Sequence, residues 1–254
     1  MKIARFEWQD NVHWGIVEDD RIYTLHGHIY GDFRKDEEIC SLNDVRLLAP
    51  AKPSIMVGCV LTYRDRIKQV GRIAFRELSL YYKPPSSLIG PDEKIIFPVQ
   101  SRDNHCEAEL CVVLKRRARK VPENDAIHYV LGYTCGNDCN AFDFYHKDEN
   151  LTRAKGFDTA GPLGPFVVTD IDPSNLAIRS RVNGKVTQDS NTRHMIFDVP
   201  KIISHITAFM TLNPGDVIWT GTPRGGAIPV RAGDIFEVEI EGIGLLKNRI
   251  ASPE

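Results

Sequence analysis

No uninterrupted apolar stretch approaches the roughly 18 residues that a membrane-spanning helix needs. None opens the chain either. After Met1 come Lys-Ile-Ala-Arg-Phe-Glu-Trp, the pattern of a strand and not of a secretory leader. Charge of one sign is also missing. The formal net charge is −2 over 254 residues, which gives no global pull toward nucleic acid or an anionic membrane. The single basic cluster, Lys115 to Lys120, is short, follows a strand-like run and reads as a solvated turn. Of six cysteines (Cys40, Cys59, Cys106, Cys111, Cys135 and Cys139) none forms a C-x-x-C pair, so neither a zinc ribbon nor a finger is indicated. Buried free thiols in a reducing compartment are the simplest reading. Repeats, low-complexity segments and heptads are absent. These absences lead to the expectation of a cytoplasmic protein with no nucleic-acid or membrane partner.

What is present is enough for a packed core: 42% of residues are hydrophobic and 26% charged, a balance that excludes general disorder. Residues 1–50 read as a small β unit, with Ala4, Phe6 and Trp8 alternating with polar neighbours and a turn at Asp19-Asp20. Pro50-Ala-Lys-Pro53 punctuates the chain, and residues 51–254 form the second expected unit. Strands are expected at 55–60, 94–97, 107–114, 217–220, 235–240 and 245–250, and a short helix at 64–70. A helix is also expected from Pro122 to about Leu131, because the fixed φ of proline suits a first turn. Val199, Ile202, Ile203, Ile206 and Met210 recur at helical spacing and predict an amphipathic helix over 199–212. Helices scattered among many strands indicate an α+β fold, mostly β.

Glu107-Ala-Glu109 is the most informative short feature. On a strand, residues i and i+2 face the same way, about 7 Å apart along the backbone. Two carboxylates at the end of the apolar run Leu110, Val112, Leu114 repel one another unless a cation neutralises them. The pair also fits an exposed strand end with solvated glutamates. Asn137-Asp138, after the apolar run Tyr129 to Tyr133, can supply a third carboxylate. Three carboxylates suit Mg²⁺ or Mn²⁺ better than Zn²⁺, with Ca²⁺ a further oxygen-loving candidate.

At this point the sequence resembles the fumarylacetoacetate hydrolase superfamily, and within it the homoprotocatechuate-pathway isomerase/decarboxylase branch. The resemblance rests on Glu107-Ala-Glu-Leu-Cys-Val-Val113, Tyr129-Val-Leu-Gly-Tyr-Thr-Cys-Gly-Asn-Asp138 and Arg153-Ala-Lys-Gly-Phe-Asp158. It continues in Gly161-Pro-Leu-Gly-Pro165, Val182-Asn-Gly184, Phe209 to Asp216, Thr220-Gly-Thr-Pro223 and Glu241-Gly-Ile-Gly-Leu245. These pieces occur in family order across roughly residues 53–250. The resemblance implies a mixed β-roll catalytic domain behind the small N-terminal β unit, and a homodimer. It implies metal ligation by Glu107, Glu109 and Asp138, a small oxo-acid substrate, Lys155 pointing into the site, and Thr222 with Gly221 at the substrate. Chelation of a 2-oxo or 1,3-dicarbonyl acid polarises the carbonyl and stabilises an enolate, which makes tautomerisation, decarboxylation and carbon–carbon hydrolysis accessible. Beside a cation, Lys155 is expected to have a lowered pKa and to shuttle a proton. The glycines at 221, 225 and 226 are expected to bring backbone N–H groups to an anion, although a plain tight turn has the same composition.

The chain departs from the family pattern in two places. Where many members carry a water-activating His and Glu three residues apart, this one reads Thr62-Tyr-Arg-Asp-Arg-Ile-Lys-Gln69, with Arg66 and Gln69 at those positions. Neither titrates near neutral pH. After Asp138, Phe142 and Tyr145 replace an Arg and a Gln that often contact substrate in the family. An arginine lost at 142 and gained at 66 suggests that a carboxylate is gripped from the other side. Candidate catalytic residues are therefore Lys155, Arg66 and His105, the last with an orienting role. Candidate substrate contacts are Tyr63, Arg64, Thr222, Gly221 and Tyr145, and His194 is a weaker candidate in a polar loop. The expected activity is a metal-dependent isomerase, tautomerase or decarboxylase of an oxo-diacid in aromatic or carboxylic acid catabolism. An acylpyruvate-type hydrolase is the alternative, and an inactive metal-binding relative the third reading.

Overall fold

The computed structural model describes residues 1–252; the last two residues of the unit expected at 51–254 lie outside that range. Four antiparallel strands open the chain: Lys2–Trp8, Asn11–Glu18, Arg21–Gly27 and Phe33–Ser41. Two-residue turns at Gln9-Asp10 and Asp19-Asp20 join the first three. All four of those residues have positive φ, as a hairpin turn that follows the strand twist requires. On the first strand Ile3, Ala4 and Phe6 are buried. This meander is not closed on itself. Lys2–Trp8 pairs antiparallel with Gly161–Val168, Ile3 opposite Val167, so residues from both expected units share one twelve-stranded sheet.

From there the sheet runs through Gly161–Val168, Val130–Asn137, Ala108–Leu114, Val217–Trp219 and Met56–Val60 to Ser79–Lys83 at its other edge. The first three are buried along their whole length, which is why they read as near-continuous apolar runs and not as alternating ones. Alternation still decides which core each residue joins. Leu110, Val112 and Leu114 pack toward Phe236, Val238, Leu246 and the helix Val199–Phe209, whereas Cys111 and Val113 pack toward Met56, Trp219 and Leu163. A second, five-stranded sheet (Lys185–Asn191, Ala177–Val182, Ile235–Ile240, Gly244–Ala251, Lys94–Ile96) supplies the opposing apolar face. Strand dominates helix throughout, as expected from the sequence.

The helices are α1 (Arg64–Gln69), α2 (Phe142–Asp148), α3 (Thr152–Lys155) and α4 (Val199–Phe209). Helix α4 begins where Asp198 accepts from the Lys201 N–H at 2.9 Å, and it buries Val199, Ile202, Ile203 and Ile206. It stops three residues before the expected 212, because Leu212 exchanges backbone hydrogen bonds with Ala118. The helix expected from Pro122 to Leu131 is instead a run of 3₁₀ turns, Glu123–Tyr129. Residues 130 and 131 belong to the strand that pairs with Ala108–Leu114, and pairing with a buried neighbour outweighs local helix preference there. No helix among the described residues is long and apolar enough to cross a membrane.

Candidate metal centre

The register of the two central strands assembles the carboxylates. Ala108 lies opposite Asn137 and Glu109 opposite Gly136, so Asp138 emerges beside Glu107. The Asp138 N–H donates to the Glu107 carbonyl at 2.9 Å and fixes that junction. Glu107, Glu109 and Asp138 each place a carboxylate oxygen within 4.8 Å of the others, and they are 7, 1 and 0% exposed. Glu109 lies on the strand face of Cys111 and Val113, and so takes the direction that the i, i+2 spacing requires.

Three buried like charges need compensation, and the chain provides it unequally. Lys155, at the end of α3, places Nζ 3.0 Å from Glu107 Oε2 and also donates to Asp138 Oδ2. Lys83, itself 1% exposed, sets Nζ 2.8 Å from Asp138 Oδ1 in a contact too oblique for a directed hydrogen bond. Its protons go to the carbonyls of Lys155 and Ala160, both at 2.8 Å. Tyr81 Oη donates to Asp138 Oδ2 at 2.6 Å. Burial pushes Asp138 toward the neutral form, but the ammonium groups of Lys155 and Lys83 outweigh it and hold the carboxyl below its usual range.

Glu109 goes the other way. Burial and the charge of Asp138 push its carboxyl well above the usual range, against Lys155 and the single backbone N–H of Gly221 at 2.8 Å. A divalent cation bound by oxygen ligands would relieve that cost, so this donor set fits Mg²⁺, Mn²⁺ or Ca²⁺. The ammonium of Lys155 answers to the same carboxylates. Burial tends to lower its pKa, but Asp138, Glu107 and Glu109 outweigh burial and raise it, because carboxylates are its immediate neighbours.

The Thr220–Gly226 turn closes one side of the site. Gly221 has φ +97°, and a Cβ there would stand 2.1 Å from Thr62 Oγ1, so only glycine fits. Thr222 Oγ1 donates to the Ala108 carbonyl at 3.1 Å and accepts from Gln188 Nε2 at 2.9 Å. Gln188 Oε1 in turn accepts from the Ala108 N–H at 3.0 Å. The expected anion cradle of glycine N–H groups does not form. Gly221 N–H is spent on Glu109, Gly225 N–H on Gln69 Oε1 and Gly226 N–H on the Pro223 carbonyl.

A cavity of about 1170 Å³ opens over these residues. Of the expected site residues, Glu107, Glu109, Lys155, Thr222, Arg66 and Tyr145 line it, and Asp138 lies buried behind them. Tyr63 is fully buried in the core and Arg64 is exposed, and neither lines the cavity. His105 is also outside it, with Nε2 3.4 Å from Asp103 and its ring edge-on to Phe142. His194 lies outside it as well. Three contributors that sequence alone does not single out are Tyr81, Lys83 and Gln188. Tyr81 and Lys83 share the buried face of the strand Ser79–Lys83, and their i, i+2 spacing is the one available signal. Gly58 opposite makes room for the tyrosine ring, since a Cβ there would lie 2.0 Å from Tyr81 Cζ.

Fold and site together set a buried carboxylate trio that could hold a metal ion beside a large cavity, and comparison with known proteins gives this arrangement a family. The chain belongs to the fumarylacetoacetate hydrolase superfamily: residues 56–251 match the family described as Fumarylacetoacetate (FAA) hydrolase C-terminal, and residues 1–50 match Rv2993c-like, N-terminal. The Xenopus laevis protein named oxaloacetate tautomerase fahd2, mitochondrial, is 37% identical over 227 residues, 85% of this chain and 71% of that one. The structure of 5-carboxymethyl-2-hydroxymuconate delta-isomerase from Mycobacterium smegmatis aligns with a TM-score of 0.93 at 37% identity, covering 99% of this chain and 100% of that one. Maleylpyruvate hydrolase from Sphingobium sp. SYK-6, solved with manganese (II) ion and pyruvate, aligns at 0.82 with 27% identity and 100% of both chains covered.

Proposed function

We propose that the protein is a divalent-metal enzyme that moves a proton beside the oxo group of a small 2-oxo or 1,3-dicarbonyl acid. It would act as an isomerase or tautomerase, with decarboxylation of an oxo-diacid open to the same site. The observation that carries this reading is Lys155, a buried ammonium in the cavity wall, hydrogen-bonded to two of the three clustered carboxylates. Glu107, Glu109 and Asp138 would hold Mg²⁺ or Mn²⁺, and the bound ion would supply Lewis-acid stabilisation of charge developing on an oxo oxygen, worth several kcal/mol.

The chain's own residues do the rest. Lys155 keeps a proton at Nζ in the cavity wall and can give it to the carbon beside the oxo group of an enol, the enol O–H proton leaving to solvent and solvent restoring the ammonium; enolisation is the same path in reverse. Tyr81 and Lys83 fix the orientation of Asp138, as outer partners of a ligand do. Gln188 and Thr222 brace the strand end at Ala108, between the two glutamates. The structure with manganese and pyruvate named above supports an oxo-acid ligand for this fold.

Hydrolysis of a carbon–carbon bond is the second reading, favoured by the hydrolase relative. It needs a group that takes a proton from water. No histidine lines the cavity among the described residues, and Arg66 Nη1 and Gln69 Oε1 simply pair at 3.0 Å. Neither can serve as that base near neutral pH. Purified protein with Mg²⁺, offered oxaloacetate, acylpyruvates and 5-carboxymethyl-2-hydroxymuconate, separates the readings, because ultraviolet spectra distinguish ketonisation from cleavage. Metal-dependent ketonisation without cleavage is expected. Cleavage of an acylpyruvate as the dominant reaction would reverse the order, and no turnover of any of the three would remove the enzyme reading.

A further inference from the structure

The cavity wall carries four cationic side chains, and their situations differ. Lys83 and Lys155 are buried and engaged by Asp138 and Glu107. Arg66 and Arg72 have no carboxylate within ion-pair distance among the described residues. Arg72 is exposed and Arg66 partly buried. Asp65, next to Arg66 in the chain, is committed elsewhere: Oδ1 accepts from the Arg66 N–H at 2.8 Å and Oδ2 from Ser190 Oγ. Glu149 also lines the cavity, at the C-terminal cap of α2, and makes no ion pair with either arginine.

Arg66 is nevertheless held. Its Nη1 donates to Gln69 Oε1 at 3.0 Å, and the same oxygen accepts from the Gly225 N–H at 2.8 Å. A neutral amide tethered to a turn orients the guanidinium and leaves its charge uncompensated. Four of its five N–H donors stay available, in the fork geometry that matches a carboxylate. Other parts of the wall are apolar or aromatic, including Leu80, Phe142 and Tyr145. The volume far exceeds what a three- or four-carbon acid fills.

We propose that Arg66 takes a second carboxylate of the substrate, remote from the reacting oxo group, with Gln69 positioning the guanidinium, so that the site selects extended dicarboxylic oxo-acids over monocarboxylic ones. This rests on the oxo-acid reading above and assigns the far end of the same site. Its test is binding and not turnover. Calorimetry on the Mn²⁺-loaded protein compares 2-oxoglutarate, 2-oxoadipate and 2-oxopimelate with the five-, six- and seven-carbon monocarboxylic 2-oxo acids.

Wild type should prefer the best diacid over its chain-length partner. Arg66→Met should weaken that diacid roughly ten- to a hundredfold, the range of a charge-assisted hydrogen-bonded pair, and leave the monoacid within about twofold. Arg66→Lys, which keeps the charge without the fork, should fall between, as should Gln69→Leu. Equal losses for diacid and monoacid, or none for either, overturn the Arg66 assignment while leaving metal-dependent oxo-acid binding intact. Absence of binding by every oxo-acid to the wild type, or binding that Glu109→Gln does not disturb, overturns the oxo-acid reading and the assignment with it.

Discussion

Glu109 and Asp138 occupy the same cluster and are pushed in opposite directions, and the difference lies in their partners. Asp138 has two lysines and Tyr81; Glu109 has one backbone N–H. With its carboxyl held low, Asp138 stabilises the fold above its usual value of 3.8, and that contribution is lost as pH falls through the lower folded value. Glu109 has the reverse sign. Held above 4.5, it costs stability at neutral pH without a cation, and that cost shrinks as pH falls and the carboxyl takes a proton. Metal ligation needs the carboxylate, so Mn²⁺ uptake should release a proton and weaken as pH is lowered. Calorimetry in buffers of different ionisation enthalpy reads this directly; binding with no proton release and no pH dependence would contradict it. Lys83→Met removes one partner of a buried ion pair and should cost about 3–5 kcal/mol in denaturant unfolding, with loss of Mn²⁺ binding. A cost under about 1 kcal/mol would show that Lys83 does not anchor Asp138. The two glutamates were legible because strand parity is local. Lys83 was not, because Tyr-Tyr-Lys-Pro-Pro reads as surface and only the far strand bearing Asp138 makes a buried lysine tolerable.

At the scale of elements, the site depends on short segments held by long-range partners. The Thr220–Gly226 turn is one: Gly221 donates to Glu109, Gly225 to Gln69 on α1. Gly221→Ala would force a Cβ onto Thr62 Oγ1 at a φ that L-residues avoid, a strain of about 1–3 kcal/mol. It should also displace the one donor to Glu109, so thermal stabilisation by Mn²⁺ should fall along with the melting temperature. A variant that melts lower yet keeps the full Mn²⁺ shift would separate the turn from the site. Asp198→Ala, which removes the cap of α4 far from the carboxylates, should cost about 1 kcal/mol and leave the Mn²⁺ shift unchanged. Helix α4 was readable from its apolar spacing; its end was not, because Ala118 claims Leu212 from more than ninety positions away. The 3₁₀ run at 123–129 shows the same effect, since periodicity cannot see that residues 130 and 131 are required as a strand.

Over the whole molecule, one continuous sheet joins the first fifty residues to the carboxylate-bearing strands. Removing residues 1–50 would strip Lys2–Trp8 from Gly161–Val168 and uncover a fully buried strand edge. The truncated chain is expected to aggregate on size exclusion; a monodisperse, Mn²⁺-binding fragment would show that the meander is dispensable. Proline punctuation at 50 and 53 marked a seam in sequence, but pairing across it had no local signature. The cavity's cationic wall was likewise only partly legible: Arg66 stood out as a departure from a family pattern, and its freedom from carboxylate partners needed the folded chain. The role proposed for the carboxylate trio and Lys155 is to labilise a proton beside an oxo group. The most direct measurement is deuterium wash-in: a 2-oxo diacid in D₂O with the protein and Mg²⁺, followed by proton NMR at the carbon next to the oxo group. Exchange that requires the metal and disappears in Glu109→Gln and Lys155→Met is the predicted result. Exchange no faster than Mg²⁺ alone produces, or equally fast in both variants, would contradict it.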